Sequence, residues 1–365
     1  MLELVRVKTN ELEEFAKNVF MKLGMNEEEA WISADVLVAA DKRGIESHGV
    51  ARLQRYVDDI KRGLIRLDTE MKIVVETPVS MVIDGDAGIG QVIGYRIMKR
   101  CIEKAKTNFM CMAAIRNSNH YGIAGYYTAM ALKEKMIGLS FTNSAPLVVP
   151  TFGKDAVLGT NPISVGVPAK EERPFLLDMA TSTVPRGKVE VYARKGQTMP
   201  TTWATDEKGE AAEDAQLVLN NLINRRGGGL LPLGGAGKLN SGHKGYDLAA
   251  LVDILCGVFS GGEMGTDVYG KKGEPAGVAH FLGVINPAAF IGPDAMGEKL
   301  DYFIRMLKNS QKAEGQDRIY VAGEMEYEAE EAHAQSLPLL KKVFDNLNNI
   351  GKEFNLTLNG EPAGL

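Results

Sequence analysis

Cysteine is scarce in this chain: of 365 residues only Cys101, Cys111 and Cys256 carry a thiol. An odd number with no zinc-like spacing leaves neither a disulfide framework nor a cysteine metal site, and the three read as reduced, buried thiols. A long hydrophobic run is missing as well. The longest, residues 248–259, is interrupted by Asp253 and falls well short of the roughly 20 residues that cross a bilayer. There is no basic block either. Lys and Arg number 42 against 47 Asp and Glu, a net charge of −5, so the electrostatic footprint of nucleic-acid binding is absent. The N-terminus mixes Glu3, Arg6, Lys8, Glu11 and Glu13 with scattered apolar residues, unlike a signal or transit peptide, so the cytoplasm is the expected location. The 40 glycines are dispersed and show no repeat period.

What is present is the texture of an ordinary globular protein of two or three domains. Apolar positions Phe15, Val19, Phe20 and Leu23, then Ala30, Ile32, Val36 and Leu37, keep helical spacing on either side of a turn at Gly24. After Ser47-His48-Gly49, the positions Val50, Leu53, Tyr56, Val57 and Ile60 predict a third amphipathic helix ending near Gly63. From Met71, β-branched runs at 72–75 and 79–84 lead through a glycine-bearing turn to a helix over 91–106. Further strands are expected at 110–115, 137–143, 162–167, 175–178 and 278–285, with a helix at 124–135. This alternation predicts an α/β sandwich. The glycine-rich stretch 225–245 reads as loop. Helices return at 296–308 and 337–354, on either side of the acidic run 324–331, which reads as a solvated helix face or a helix start.

Three of the five histidines, His48, His120 and His243, sit in polar, glycine-containing loops that open predicted helices. A helix N-terminus disfavours the imidazolium and keeps a neutral general base available near pH 7. The plainer alternative is that Ser47, Ser118 or Asn119 caps the helix and the histidine merely follows. His48 and Arg52, four residues apart on one predicted helix face, suit an acid substrate. The guanidinium binds a carboxylate while the imidazole handles a proton on the neighbouring carbon's oxygen. Arg55, Lys61 and Arg62 make a solvated basic face the alternative. Asp178 closes a strand, where it either orients a catalytic histidine or caps the next element.

The Rossmann fingerprint is absent: Gly88, Gly90 and Gly94 are spaced Gly-x-Gly-x-x-x-Gly and read as a strand-to-helix turn. Better anion-binding candidates are Gly234-Gly235-Ala236-Gly237 and Ser241-Gly242-His243-Lys244-Gly245, where Lys244 can neutralise a phosphate unless the glycines merely make a surface loop.

Five motifs in order, Arg43-Gly44-Ile45-Glu46-Ser47-His48-Gly49-Val50-Ala51-Arg52, Ser118-Asn119-His120-Tyr121-Gly122, Gly159-Thr160-Asn161-Pro162, Leu177-Asp178-Met179-Ala180-Thr181-Ser182 with Arg186-Gly187-Lys188, and His243-Lys244-Gly245-Tyr246, resemble the malate/L-lactate dehydrogenase family. This is the non-Rossmann type, with sulfolactate and ureidoglycolate dehydrogenases and diketogulonate and cyclic-imine reductases among its relatives. The resemblance implies an α/β, non-Rossmann NAD(P)-binding fold, a mixed β-sheet flanked by helices, with the helical N-terminal region packed against the C-terminal helices. The implied division is a helical region at 1–70, a first α/β part of the core at 71–120, the NAD(P)-binding part at 121–290 and a C-terminal helical part at 291–365. A homodimer is implied, with neither nucleic acid nor membrane as partner and no metal.

Within the resemblance, His48 with Ser47, and His120, take acid/base roles with Asp178 as partner. Cofactor contacts map to His120, Ser144, Asp178, Met179, Ala180, Lys188, His243, Lys244, Gly323 and Glu324. Val321-Ala322-Gly323-Glu324 departs from the family in lacking the more usual proline before Gly-Glu. The expected reaction has a 2-hydroxy acid place its carboxylate on Arg52, give its hydroxyl proton to His48 or His120, and pass its C2 hydride to nicotinamide. Malate/oxaloacetate or L-lactate/pyruvate is the expected pair. The alternatives are ureidoglycolate or sulfolactate oxidation, reduction of a cyclic imino acid or 2,3-diketo acid, and a non-catalytic dinucleotide-binding protein. NAD is the expected cofactor, with Arg194 and Lys195 keeping NADP open.

Overall fold

Leu12, Phe15, Ala16, Val19 and Phe20 recur at helical period, and all five are buried on one face of the first helix. The next helix starts where the Asn26 side chain accepts the Glu29 N–H at 3.0 Å, with Glu27, Glu28 and Glu29 in its first turn. The computed structural model describes residues 3–363. Its helices are α1 (Thr9–Lys22), α2 (Glu27–Lys42), α3 (Leu53–Lys61), α4 (Gly90–Asn108), α5 (Ala124–Lys133), α6 (Arg186–Lys195), α7 (Ala215–Asn224), α8 (Gly242–Asp253), α9 (Pro293–Lys308), α10 (Glu324–Ala332) and α11 (Lys341–Phe354). Its strands are β1 (Leu4–Lys8), β2 (Lys72–Glu76), β3 (Ser80–Asp84), β4 (Met110–Ser118), β5 (Ile137–Thr142), β6 (Ile163–Val167), β7 (Phe175–Met179), β8 (Ala204–Thr205), β9 (Gly229–Leu230), β10 (Val278–Ile285), β11 (Ser336–Leu340) and β12 (Glu361–Pro362).

Seven strands form one mixed sheet in the order β2-β3-β4-β10-β5-β6-β7, with only β3 and β4 parallel. Alternation along the strands sends side chains to two covered faces. Ala113, Ile115, Leu282 and Val284 pack beneath α4 and α5, while Ala114, Ala279 and Phe281 turn the other way to meet Val252 and Cys256. The mixed, helix-flanked sheet is as expected. The boundary expected at residue 120, however, runs through this sheet, because β4 from one side of it pairs with β10 from the other. A separate apolar cluster that includes Val148, Val189, Trp203, Val218 and Leu230 gathers α6, α7 and the β8–β9 pair.

The N-terminal region packs with the C-terminal end through a third cluster that joins Val5, Val7, Phe15 and Phe20 to Leu337, Leu339, Leu347 and Ile350. Here the expected helix over 337–354 needs correction. Leu337 and Leu339 pair with Val7 and Val5 as strand β11, so the period is two until Leu340, and α11 begins only at Lys341. The strand β1 and the helices α6 and α7 had no sequence expectation. Within 225–245, β9 and the start of α8 replace part of the expected loop. The acidic run is a helix, α10. The glycine-bearing turn before α4 serves close packing: a Cβ on residue 90 would collide with the Asn119 carbonyl, which fastens the α4 start to the loop carrying His120. Among the described residues no helix is long and apolar enough to cross a membrane.

Candidate active site

The chain leaving α2 makes two short 3₁₀ turns, Glu46–His48 and Val50–Arg52, separated by an extended Gly49. A Cβ at position 49 would strike the Asp41 carboxyl, whose Oδ2 accepts the Val50 N–H at 2.7 Å. His48 and Arg52 therefore do not share a helix face as expected. They meet because the Gly49 break folds both turns onto one cavity of about 360 Å3. Arg52 Nε donates to the Ser47 carbonyl at 2.6 Å, and Ser47 Oγ lies 2.9 Å from His48 Nδ1.

His120 arrives from the opposite direction, just beyond the end of β4. Asn119 Nδ2 donates to the Ala87 and Gly88 carbonyls at 2.8 and 3.0 Å and holds the loop. The Tyr56 hydroxyl of α3 lies 2.6 Å from His120 Nδ1, and the Gly122 N–H donates to the same nitrogen at 3.3 Å. The two imidazoles stack with centroids 5.5 Å apart and planes inclined by 23°.

Electrostatics leave this cavity cationic and its imidazoles neutral. Burial pushes His48 down to about 4, and the Arg52 and Arg55 guanidiniums push it the same way. Burial, then His48, Arg55 and Arg52, holds His120 well below the ordinary histidine value. The expected cause, a helix N-terminus, is corrected for His48, which closes a 3₁₀ turn. Arg55 pairs with Asp59 at 3.5 Å and Arg186 with Glu190 at 2.9 Å, whereas Arg52 forms no salt bridge among the described residues. A half-buried guanidinium without a carboxylate is a position where an anion is favoured.

The third wall carries Ser144. Its N–H donates to Asn161 Oδ1 at 3.2 Å, and its Oγ accepts the Thr160 N–H at 3.0 Å. Behind it, Asp253 on α8 receives Asn143 Nδ2 at 3.1 Å and Asn161 Nδ2 at 3.0 Å, while burial raises its carboxyl. Sequence reasoning missed Tyr56, Asn143, Asp253 and Tyr269, and it saw Arg55 only as surface. Tyr56 was counted as an apolar helix position. Tyr269 holds a left-handed backbone, φ 54°, and accepts Arg55 Nη2 on its hydroxyl at 2.7 Å. Nothing local announces that pairing.

The remaining candidates lie elsewhere. Asp178 does not orient either histidine: its Oδ2 accepts the Gly125 N–H of α5 at 2.7 Å, and burial raises its carboxyl to about 6. It lines a different cavity, about 260 Å3, with Arg43, Tyr320 and Gly323. Met179 pairs with Ile163 at the end of β7, and Ala180 follows it. Glu324 is already engaged, by Lys308 at 2.5 Å, by Arg318 at 3.4 Å and by the Val321 N–H at 3.0 Å. Its carboxylate therefore closes the start of α10 rather than standing free for a cofactor. Lys188 stacks 4.8 Å over the Trp203 ring and lines a third cavity of about 650 Å3, which shares Ser47, Arg52, Gly187 and Glu190 with the histidine site. His243 and Lys244 open α8, and His243 Nδ1 is buried without a hydrogen-bond partner among the described residues.

Two neutral imidazoles beside a guanidinium with no salt bridge among the described residues, next to the end of a sheet strand, form an arrangement suited to moving a proton on an acid substrate. Residues 7–348 match the malate/L-lactate dehydrogenase family, and the chain belongs to it. A malate dehydrogenase of Pyrococcus abyssi is 48% identical over 349 residues, 95% of this chain and 94% of that protein. An L-sulfolactate dehydrogenase of Methanocaldococcus jannaschii is 37% identical over 343 residues, 93% and 95% of the two chains. The solved malate dehydrogenase of Pyrococcus horikoshii superposes with a TM-score of 0.88 at 42% identity, covering 98% of this chain and 100% of that one. The protein is thus an oxidoreductase acting on a CH–OH donor, of a family whose chemistry calls for a nicotinamide cofactor.

Proposed function

We propose that the protein interconverts a small 2-hydroxy acid and its 2-oxo acid, with malate and oxaloacetate as the pair. The observation that carries this reading is the half-buried Arg52, without a salt bridge among the described residues, beside two neutral imidazoles. Its guanidinium takes the substrate carboxylate, which places C2 and its oxygen at the ring nitrogens. Between them His48 and His120 take the hydroxyl proton and hold the oxygen, and Arg52 and Arg55 stabilise negative charge on it. Arg55 and Arg186 also line the cavity, so three guanidiniums face it, which suits a dicarboxylate better than lactate.

A nicotinamide dinucleotide fits the residues present. His243 offers a buried nitrogen with no protein partner, and Lys188 and Arg194 line the 650 Å3 cavity that opens beside Ser47 and Arg52. When bound, the nicotinamide supplies the acceptor for the C2 hydride. The expected cofactor is NAD. Arg194 favours the second reading, NADP, because a cation there suits a ribose phosphate.

The free, buried Cys101, Cys111 and Cys256 suit the reducing cytoplasm. A homodimer is proposed from the exposed apolar residues Ile73, Val74 and Val75 on edge strand β2 and Tyr302, Phe303 and Met306 on α9.

The test follows absorbance of the reduced nicotinamide while oxaloacetate, pyruvate and a cyclic imino acid are each offered with NADH and with NADPH. Consumption with oxaloacetate is expected. Turnover of the imino acid alone would overturn the hydroxy-acid reading.

A further inference from the structure

His48 and His120 stand close enough to address one substrate oxygen, yet their hydrogen bonds differ in kind. A main-chain N–H can only donate, so the Gly122 N–H on His120 Nδ1 requires a lone pair there. The Tyr56 hydroxyl, 2.6 Å from the same nitrogen, must then donate too. Tyr56 is buried, and burial raises its phenol against the lowering effect of Arg55 and Arg52, so it remains a proton donor. Neutral His120 therefore carries its proton on Nε2, the nitrogen with no hydrogen bond among the described residues. At His48 the partner is Ser47 Oγ, which accepts as readily as it donates. With Ser47 Oγ accepting from a protonated Nδ1, His48 Nε2 keeps a lone pair, the partner that a substrate hydroxyl already held by the His120 N–H still requires.

We propose that Tyr56 and the Gly122 amide divide the work of the two histidines: His120 is fixed as an Nε2–H donor to the substrate oxygen, and His48 Nε2 is the proton acceptor. A substrate hydroxyl is itself both donor and acceptor, so it is satisfied by one lone pair and one N–H. As the alcohol is oxidised, its O–H proton moves to His48 Nε2, its C2 hydride leaves to the cofactor and the C2–O bond becomes a carbonyl. His120 keeps its proton throughout and holds the oxygen by a hydrogen bond. In reduction the His48 imidazolium returns the proton. Tyr56 is a positioning residue, acting through His120. This assignment rests on the hydroxy-acid reading above for its chemistry, but its tautomer is a property of the protein alone.

The test is in two parts. Selective 15N labelling of histidine, read by two-bond nitrogen–proton correlation on the cofactor-free full chain, is expected to show His120 with Nδ1 bare and Nε2 protonated. Tyr56→Phe is expected to shift the His120 Nδ1 resonance toward that of a free imidazole, a change that mere space filling by tyrosine would not cause. A protonated Nδ1 at His120 in the wild type overturns the proposal.

In turnover, His120→Gln, whose amide still donates but takes up no proton, is expected to keep kcat about 10-fold or more above His120→Ala. His48→Gln and His48→Ala are expected to fall alike, by roughly two to four orders of magnitude. His120→Gln as inactive as His120→Ala, with His48→Gln still active, overturns it. If the wild type turns over no 2-oxo acid, the hydroxy-acid reading fails while the nitrogen spectrum still decides the tautomer.

Discussion

The carboxyl of Asp41 fills the space that a Cβ on residue 49 would occupy, and from there it accepts the Val50 N–H. That contact fixes the break between the turn carrying His48 and the turn carrying Arg52. Gly49→Ala must push Asp41 out of its place. A loss of about 1–3 kcal/mol in stability is expected, typical of overpacking a tight site, together with a fall in kcat/KM of about 10-fold or more as the turns separate. Chemical denaturation and steady-state kinetics on the same variant check both, and an unaffected kcat/KM would show that the break does not place the site.

Asp41 also sets a pH dependence. Burial raises its carboxyl from 3.8 to about 8, against the lowering effect of the Val50 hydrogen bond. Its folded pKa lies above its unfolded one, so the native state holds the extra proton between them. The stabilisation is complete below pH 3.8 and is lost as pH rises through about 8. Asp178, raised to about 6, acts in the same direction but only at lower pH. His48 and His280, lowered to about 4 and about 3, act oppositely, removing stability as pH falls below 6.5. Of these four groups only Asp41 has a folded value above pH 6.5, so it carries their decline from there to about 8. Asp41→Asn, which keeps an acceptor for Val50, is expected to flatten the decline of unfolding free energy across that window.

Asp253 holds two asparagine amides at the base of the Ser144 wall. Asp253→Ala takes one acceptor from each amide, at about 1–3 kcal/mol each, while Asn143 Nδ2 keeps the Glu263 carbonyl and Asn161 Nδ2 the Ala249 carbonyl, and Asp253→Asn sets an amide N–H against one of them. Both variants are expected to lower kcat/KM by about 10-fold with a smaller change in far-ultraviolet dichroism. Equal kcat/KM in Asp253→Asn and wild type would mean that the network does not position the site.

Arg52 donates to the Ser47 carbonyl through Nε, which leaves its other nitrogens for a carboxylate. Arg52→Lys keeps the charge but loses the fork and that anchoring bond. A rise in KM for the acid of about 10-fold or more is expected, and about 100-fold for Arg52→Ala, since a charge-assisted pair contributes about 1.5–3 kcal/mol. Initial-rate kinetics decide it. An unchanged KM in Arg52→Ala moves the carboxylate to Arg55 or Arg186.

Helices α1, α2 and α4 and the strands of the central sheet were readable because burial period is a local property: Phe15, Val19 and Phe20 face one way whatever they later meet. The strand β11 was misread because Leu337 and Leu339 take their period from Val5 and Val7, more than 300 residues away. His48, Arg52 and His120 were singled out as a chemically apt set, and the fold brings them together. The reason given for pairing His48 with Arg52 was wrong in geometry, because Gly49 interrupts the helix.

Residue type and order by themselves determined that an acid-binding, proton-handling set exists, and that neither a disulfide framework nor a Rossmann phosphate turn supports it. Partnership was decided only in three dimensions. Asp178 commits one carboxylate oxygen to the Gly125 N–H and Glu324 pairs with Lys308, whereas Arg52 has no salt bridge among the described residues. Each of these residues carries a full charge on paper. Which of them stays available to a ligand depends on what the fold places within hydrogen-bond reach, and that falloff over a few ångströms is invisible along the chain.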